Sequence, residues 1–284
     1  MPELPEVETV INGLKPVMLN KKIAKIEATR KNLRYNFPEN LDAISKNSKI
    51  IDMQRLSKYI VIRLDTGYSL ISHLGMSGKY TIFSYARNEK IEPVKHDHII
   101  FHMDNGDTII YNDPRRFGFL ISCKTEEEKN EKHLSKLGID PTNDKLTDEY
   151  VHDKFQKCKS NLKTALMNQS IISGLGNIYV CEAMYRTKLH PNTISSTIPH
   201  KTIKTLTKHI KEIINEAIKA GGSTLKDYKN PEGAMGYFQH NFDVYGRNGE
   251  NCNECQSDIK KIIQGGRSTF YCPECQKDIE LNDD

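Results

Sequence analysis

The chain has 284 residues, enough for one large domain or two with a sizeable buried core. Its 41 Lys and Arg residues against 37 Asp and Glu residues give a net charge of +4, which permits nucleic-acid binding without requiring it. No run of about 18 apolar residues occurs, and the acidic N-terminus lacks the apolar stretch of a signal peptide. We therefore expect a cytoplasmic protein without a membrane span, whose seven cysteines are thiols or metal ligands.

The chain begins MPELPEVETV, which places two prolines and three glutamates in its first ten residues. Apolar residues at helical spacing predict a short amphipathic helix over about residues 5–14: Leu4, Val7, Val10, Ile11 and Leu14. Pro5 suits a first helical turn, and Glu6 and Glu8 lie where the helix dipole favours anions. This helix leaves Pro2 and Glu3, which precede it, without a structural explanation.

Short β-rich segments separated by Gly, Asn or Asp turns follow, and they predict an antiparallel sandwich or barrel. The segments are KIAKIEAT, KYIVIRLD, YSLISHL, HDHIIFHM, DTIIYND and FGFLIS. The composition becomes highly charged at CKTEEEKNEK (123–132), where we place a domain boundary. The first predicted domain therefore covers residues 1–130.

Beyond this boundary the apolar pattern becomes helical, and we predict a helical domain over residues 131–245. A long helix over 202–222 has one apolar face and a C-cap signal at Gly221; the face comprises Ile203, Leu206, Ile210, Ile213, Ile214 and Ala217. A second helix covers 177–187 and is entered through the turn SGLGN. The polar loop at 221–241 is long enough to be functional.

The last predicted domain, residues 246–284, carries two CxxC pairs with 16 residues between them. This spacing is typical of a structural zinc site with four protein thiolates: Cys252, Cys255, Cys272 and Cys275. Between the pairs, IKKIIQGGRSTFYC predicts a hairpin that turns at Gly265 and Gly266 and carries Arg267 at its tip. The remaining cysteines are interpreted as buried small hydrophobic residues: Cys123, Cys158 and Cys181.

Four further motifs are weak when each is taken alone. GLGN (174–177) could offer backbone N–H groups and an Asn amide to a phosphate, or simply begin a helix. NDPRRFG (112–118) and HLGMSG (73–78) could be a charged surface turn and a gap-filling Met between glycines. For HDH (96–98) we favour hydrogen-bonded histidines over metal ligands, because no third ligand is near in sequence.

In their order along the chain, these motifs resemble those of the formamidopyrimidine-DNA glycosylase family. The motifs are MPELPEV, KY on a strand, HLGMSGKY, KHDH, DPRRFG, GLGNIYVCE and the cysteine hairpin with GGRSTFYC, and they extend to about Cys275. MPELPEV is more similar to this branch than to the related endonuclease VIII branch. The resemblance implies an α+β multidomain fold with an N-terminal antiparallel β-sandwich, a helix–two-turn–helix module and a zinc hairpin.

The resemblance also implies a monomer with one structural Zn²⁺ per chain, acting in the nucleoid on double-stranded DNA that contains damaged purines or abasic sites. The activity would be base excision repair by a bifunctional DNA glycosylase and abasic-site lyase. Two alternatives stay open: a glycosylase of the endonuclease VIII type for oxidised pyrimidines, and a non-catalytic zinc-ribbon DNA-binding protein.

The first residues then acquire a catalytic interpretation. Removal of Met1 leaves Pro2 with a free secondary amine, and an α-amino group titrates near ~8. Pro2 is the expected Schiff-base nucleophile and Glu3 the expected proton donor. Glu6 is a further candidate site residue, and Lys58 and Arg267 match residues that grip phosphates and donate protons during elimination.

The enzyme must extrude the damaged nucleotide from the duplex. Met76, Arg115 and Phe117 match the family's void-filling side chains. The other expected DNA contacts are His73, His96, Lys163, Asn177 and Tyr245, and the loop at about 222–241 matches the segment that closes over the flipped base. One departure is visible: the lead-in to Lys58 is RLSKY, where the family has a basic lead-in that contains glycine.

Overall fold

The computed structural model describes residues 2–87, 91, 94–223 and 238–278. The chain divides into two compact units: Met1–Ser135 with Ala220–Tyr237, and Lys136–Lys219 with Phe238–Asp284. The three-domain boundaries drawn from the sequence stay predictions. No helix in the described part is both long enough and apolar enough to cross a membrane.

The first unit is built from two four-stranded antiparallel sheets. Its strands are β1 (Ile23–Ala28), β2 (Ile50–Leu56), β3 (Tyr59–Leu64), β4 (Tyr68–His73), β5 (Lys79–Phe83), β6 (Asp97–Met103), β7 (Thr108–Asn112) and β8 (Phe119–Lys124). One sheet has the order β1-β6-β7-β5 and the other β2-β3-β4-β8. Buried side chains from both sheets belong to one hydrophobic core, so the predicted sandwich is confirmed.

Helix α1 (Leu4–Met18) buries its apolar face in the same core, and the short helix α2 (Leu41–Ser45) packs nearby against β1. The observed α1 is longer than predicted because it continues through Pro16. A proline this close to a helix end removes only one internal hydrogen bond, and the extra turn buries Met18. The helix that carries the N-terminal motif is therefore part of the core of its unit.

The described part of the second unit contains four α-helices: α3 (Asp148–Gln156), α4 (Leu162–Met167), α5 (Asn177–Arg186) and α6 (His200–Lys219). Thr147 and Asn161 cap α3 and α4 through their side-chain oxygens. All six residues of the predicted apolar face of α6 are buried, and Gly221 follows the helix with a φ of +74°. The predicted long helix is thus confirmed, with slightly earlier bounds.

The C-terminal hairpin consists of β9 (Lys260–Gln264) and β10 (Arg267–Tyr271), joined at Gly265 and Gly266 as predicted. Both glycines have positive φ values, +54° and +72°. Such values in a two-residue hairpin turn favour glycine.

The interpretation of the three other cysteines is right only for Cys181, which is buried on α5. Cys123 is half-buried because β8 lies at the edge of its sheet. Cys158 is also half-buried; it follows α3, and its Sγ lies 3.1 Å from the hydroxyl of Ser160.

Candidate active site

The N-terminus of α1 is buried, although it lies at the end of the chain. Pro2 is buried and Glu3 is only 3% exposed. The backbone amide of Glu3 donates to Oε2 of Glu6 at 2.8 Å, so Glu6 closes the first turn as the acid of a capping box does. Pro2 and Glu3 are therefore held at the start of a core helix.

Glu6 also binds the segment that follows α6. Its Oε1 accepts the backbone N–H of Ser223 at 2.7 Å and the hydroxyl of Ser223 at 2.9 Å. Gly222 has a φ of +80°, and a Cβ there would lie 3.1 Å from the same oxygen. A left-handed backbone in close contact with a carboxylate favours glycine at this position.

Lys58 lies in the two-residue turn between β2 and β3 and is 7% exposed. The preceding Ser57 has a φ of +58°, at the first central position of the turn, where glycine is preferred. Arg55 donates to the carbonyl of Ser57 at 3.1 Å and also pairs with Glu8 of α1. These contacts connect the Lys58 turn to helix α1. The departure from the family pattern thus includes a serine in a strained conformation.

His73 ends β4, and its Nδ1 accepts the backbone N–H of Gly75 at 3.0 Å. Its ring stacks on Phe119 with centroids 5.3 Å apart, and Tyr59 lies on the same cluster at 5.1 Å. Burial, followed by the positive charges of Lys58 and Arg34, lowers the pKa of His73 to about 4. The imidazole is therefore neutral at physiological pH.

The loops that carry Met76, Arg115 and Phe117 are joined by a buried aspartate. Asp113 accepts the hydroxyl of Ser77 at 2.6 Å through one oxygen and the N–H of Gly118 at 2.8 Å through the other. The same serine oxygen accepts the N–H of Arg115 at 3.1 Å. Sequence reasoning gave Asp113 no role, although it is part of the NDPRRFG motif.

These connections bring together the three predicted void-filling side chains. Met76 is half-buried and Arg115 is exposed. Phe117 is 47% exposed, and the guanidinium of Arg115 lies 5.1 Å from its ring centroid. An exposed aromatic ring can act as a wedge between bases, and the guanidinium beside it can donate hydrogen bonds.

Of the two histidines of the HDH motif, His98 is hydrogen-bonded through its side chain, as predicted. His98 is buried, and its Nε2 lies 3.0 Å from the carbonyl of Asp113. His96 is half-buried with a φ of +78°, just before β6, and its ring lies 6.2 Å from that of His98. Among the described residues, neither belongs to a group that could hold a metal ion.

In the second unit, Asn177 begins α5 and reaches the zinc hairpin. Its Nδ2 donates to the carbonyl of Ser268 on β10 at 2.7 Å. Lys163 of α4 is 2% exposed, and its Nζ lies 3.3 Å from Sγ of Cys181 and 3.5 Å from the carbonyl of Asn177. The amide of Asn177 therefore has a structural partner, and the charge of Lys163 is buried beneath the start of the helix.

Tyr245 is positioned by a residue that sequence reasoning missed. Glu182 of α5 is 1% exposed and accepts the backbone N–H groups of Asp243, Val244 and Tyr245 at 2.9, 3.1 and 2.8 Å. Burial raises the pKa of Glu182 to about 7 against the opposing effect of these donors. The ring of Tyr245 then packs edge-on against Phe270 of β10, at 5.1 Å.

The four hairpin cysteines fit a zinc ion. Their Sγ atoms all lie within 4.8 Å of one another, with Cys252 and Cys275 3.8 Å apart and Cys255 and Cys272 3.4 Å apart. Zn–S bonds of about 2.3 Å in a tetrahedron require sulfur atoms roughly 3.8 Å apart. The set could therefore hold one structural zinc.

Arg267 follows the turn of this hairpin and is exposed. Most of the predicted lesion-closing loop, residues 224–237, lies outside the described residues, and Ser223 is the last described residue before that gap.

Three family models match the chain. They are described as the formamidopyrimidine-DNA glycosylase N-terminal domain (residues 1–120), the formamidopyrimidine-DNA glycosylase H2TH domain (137–229) and a zinc finger found in FPG and IleRS (249–277). The chain is also 44% identical to a formamidopyrimidine-DNA glycosylase of Roseobacter denitrificans, over 96% of this chain and 98% of that protein.

Solved structures are similar over nearly the whole chain. A Lactococcus lactis Fpg in complex with DNA containing N7-benzyl-Fapy-dG has 34% identity and a TM-score of 0.88, over 97% of this chain and all of that one. An Fpg of the same organism, in complex with DNA containing an abasic site, has 33% identity, the same TM-score and the same coverage. The matches cover all three segments of the chain in order, and the chain belongs to the formamidopyrimidine-DNA glycosylase family.

Proposed function

We propose that this chain excises oxidised purines, such as 8-oxoguanine and formamidopyrimidines, from duplex DNA through a Schiff base at Pro2, and then cleaves the strand by β- and δ-elimination. The family supports the general activity in this proposal, because its members are DNA glycosylases that act on damaged purines in base excision repair. The nucleophile, the intermediate and the residue roles are the finer part of the proposal.

The burial of Pro2 and Glu3 is the observation that carries the proposal. Chain ends are usually poorly ordered unless contacts hold them. Here Glu6 caps the amide of Glu3, and α1 buries its apolar face in the core. Removal of Met1 would leave the Pro2 amine fixed in sequence beside the carboxylate of Glu3, and such an arrangement supports nucleophilic catalysis better than a purely structural role.

The chemistry follows from a secondary amine at this position. The Pro2 nitrogen bonds to C1′ of the sugar, the bond from C1′ to the base breaks, and the base leaves with a proton from Glu3. The nitrogen then gives up its own proton, its lone pair breaks the C1′–O4′ bond, O4′ takes a proton in exchange, and the nitrogen becomes an iminium. The iminium acidifies C2′, so loss of that proton breaks the C3′–O bond. A second proton loss, at C4′, breaks the C5′–O bond.

The other predicted residues act on the duplex. Lys58 and Arg267 would hold the phosphates that leave in the two eliminations and supply protons to them. Met76, Arg115 and Phe117 would fill the void left by the extruded nucleotide, and their shared support at Asp113 favours this joint role.

The test is incubation of the zinc-loaded protein with a duplex that contains 8-oxoguanine opposite cytosine. We expect free base and a one-nucleotide gap with phosphate at both ends. Glu3→Gln should keep DNA binding and lose most base excision, and the exposed Glu126→Gln serves as the control. Excision confined to oxidised pyrimidines would favour the endonuclease VIII type, binding without excision would favour a non-catalytic protein, and full activity of Glu3→Gln would remove Glu3 from the mechanism.

A further inference from the structure

A second group of metal-ligating side chains lies in the helical unit, separate from the four cysteines. It consists of Asp148 and Glu149 in the first turn of α3 and His200 at the start of α6, and one ligand atom of each lies within 4.8 Å of the others. Asp148 is half-buried, and the other two side chains are exposed. The chemistry proposed above gives none of the three a role.

The distance between the ligand atoms fits a metal ion. Nε2 of His200 lies 3.3 Å from Oδ2 of Asp148. Zn–N and Zn–O bonds of about 2.0–2.2 Å that meet at tetrahedral angles separate two ligand atoms by roughly 3.3–3.6 Å. An ion pair would give the same distance but needs only one carboxylate, whereas two lie beside this imidazole. The dipole of α3 favours acids at its start, but it does not bring the imidazole of another helix to them.

His152 of α3 supplies a second, independent observation. Its ring packs against that of His200, with centroids 4.7 Å apart, which limits the rotation of the ligand ring. Its Nδ1 is buried and has no hydrogen-bond partner among the residues that the structure describes. Buried polar atoms nearly always have a partner. A cation held by the three ligand atoms would carry bound water, and a water O–H can donate to this nitrogen.

The charges around the three side chains determine which cation could bind and how tightly. Two carboxylates attract a cation, and the imidazole favours Zn²⁺ over Mg²⁺ and Ca²⁺, which prefer oxygen ligands. The surface pocket that Asp148 and Glu149 line is also lined by lysines of α6: Lys204, Lys208 and Lys211. Because their charge repels a cation, we expect a weak site whose ion exchanges with solvent.

We propose that Asp148, Glu149 and His200 bind a second Zn²⁺ ion, with water completing its coordination, and that this ion links the start of α3 to the start of α6. The site differs from the cysteine site in its ligands, which are nitrogen and oxygen, and in its exposure to solvent. The inference does not depend on the proposed function, because its tests use no DNA.

The first test titrates Zn²⁺ into the full-length, untagged protein with its cysteine site already loaded, in a buffer that does not bind zinc. We expect one further Zn²⁺ per chain with a Kd in the micromolar range. His200→Gln should weaken this binding about tenfold or more, because loss of even a residue that only supports a ligand costs about 10–100-fold.

His102→Gln on β6 is the matched control. Nε2 of His102 lies 3.7 Å from a carboxylate oxygen of Glu27, but His102 belongs to no group of three such side chains among the described residues. We expect wild-type zinc affinity in this variant. A wild-type protein that binds no further zinc, or a His200→Gln variant with unchanged affinity, would overturn the proposal.

A variant that should gain affinity separates a cation site from an ion pair. Lys204→Met removes one positive charge from the pocket, so at low ionic strength it should tighten zinc binding several-fold. Asp148→Asn should weaken it. If Lys204→Met and Asp148→Asn both bound zinc as the wild type does, the cation would lie elsewhere on the protein.

The ligand type is tested with Co²⁺ added to the protein whose cysteine site holds Zn²⁺. We expect visible d–d bands of nitrogen and oxygen ligation without a thiolate-to-cobalt charge-transfer band, and loss of these bands in His200→Gln. Co²⁺ that gave the thiolate band in full would have entered the cysteine site, which would contradict a second site.

The proposed link between α3 and α6 is tested by thermal unfolding. A ligand that binds only the folded state raises the melting temperature. Excess Zn²⁺ should therefore raise the melting temperature of the wild type and of His102→Gln by more than that of His200→Gln. An equal rise in all three proteins would show that zinc stabilises the fold without this site.

Discussion

Replacing Asp113 should detach the two loops that carry the void-filling side chains. Its carboxylate accepts a hydroxyl from Ser77 at 2.6 Å and an N–H from Gly118 at 2.8 Å, and it is fully buried. Hydrogen bonds to charged groups contribute about 1.5–3 kcal/mol each, so Asp113→Ala should lower the free energy of unfolding by roughly 3–6 kcal/mol. Ser77 would lose the partner that holds its hydroxyl, and this hydroxyl oxygen accepts the N–H of Arg115. We therefore expect the Arg115 loop to be disturbed most.

Asp113→Asn is the milder partner of this variant. An Asn can still accept the N–H of Gly118, and its amide can donate to Ser77 if that hydroxyl turns to accept. Only the assistance of the charge is lost, so the cost should be about 1–2 kcal/mol.

Urea unfolding and excision from an 8-oxoguanine duplex measure the two consequences. We expect stability and excision to fall in the order wild type, Asp113→Asn, Asp113→Ala, with the excision defect persisting under conditions where each variant is folded. If Asp113→Ala unfolded within about 1 kcal/mol of wild type and excised normally, the two bonds would not hold the loops.

Three further changes test other parts of the account. Arg115→Ala should reduce the preference for excision of lesions opposite cytosine over adenine, since a well-made base contact is worth roughly 1–3 kcal/mol. Arg267→Ala should instead weaken binding to both duplexes about equally, with a shallower salt dependence. An unchanged cytosine-to-adenine ratio in Arg115→Ala would favour the interpretation of its loop as a charged surface turn. Cys252→Ser should release the metal and reduce DNA affinity. Metal analysis that found less than about one zinc per chain in fully active wild-type protein would contradict ligation by four thiolates. Ser57→Gly should raise the free energy of unfolding by up to about 1 kcal/mol, because relief of the left-handed backbone exceeds the added freedom of the unfolded chain; a lower melting temperature would contradict the strain.

The local features of the fold could be predicted from the sequence because each depends on neighbouring residues. The apolar face of α6, the hairpin turn at Gly265 and the zinc-ligand spacing all follow from short-range patterns. Strand β2 was not predicted: a register shift between Ile50 and Asp52 interrupts its alternation, and Ile51 is 51% exposed. A bulge of this kind is fixed by the pairing with β3, which no local pattern reveals.

In the candidate site, too, short-range sequence patterns predicted one part and contacts between distant residues determined the rest. The motifs located its residues, but not the contacts that hold them. Asp113 meets Ser77 across 36 positions, and Glu182 meets Tyr245 across 63. The burial of Lys163 depends on Cys181, which lies on another helix. A buried acid on an otherwise apolar helix, as Glu182 is on α5, was the one available signal, because such a group requires partners.

Borohydride trapping on the 8-oxoguanine duplex tests the central claim most directly. Reduction should convert the iminium into a stable protein–DNA adduct, and mass spectrometry of the digested adduct should locate the DNA on the nitrogen of Pro2, with Met1 absent. Pro2→Gly, or a form that retains Met1, should lose most of the adduct and of strand cleavage, while Pro16→Ala within α1 should trap as well as wild type. An adduct on a lysine, or wild-type trapping and cleavage by the form that retains Met1, would contradict the assignment of Pro2 as the nucleophile.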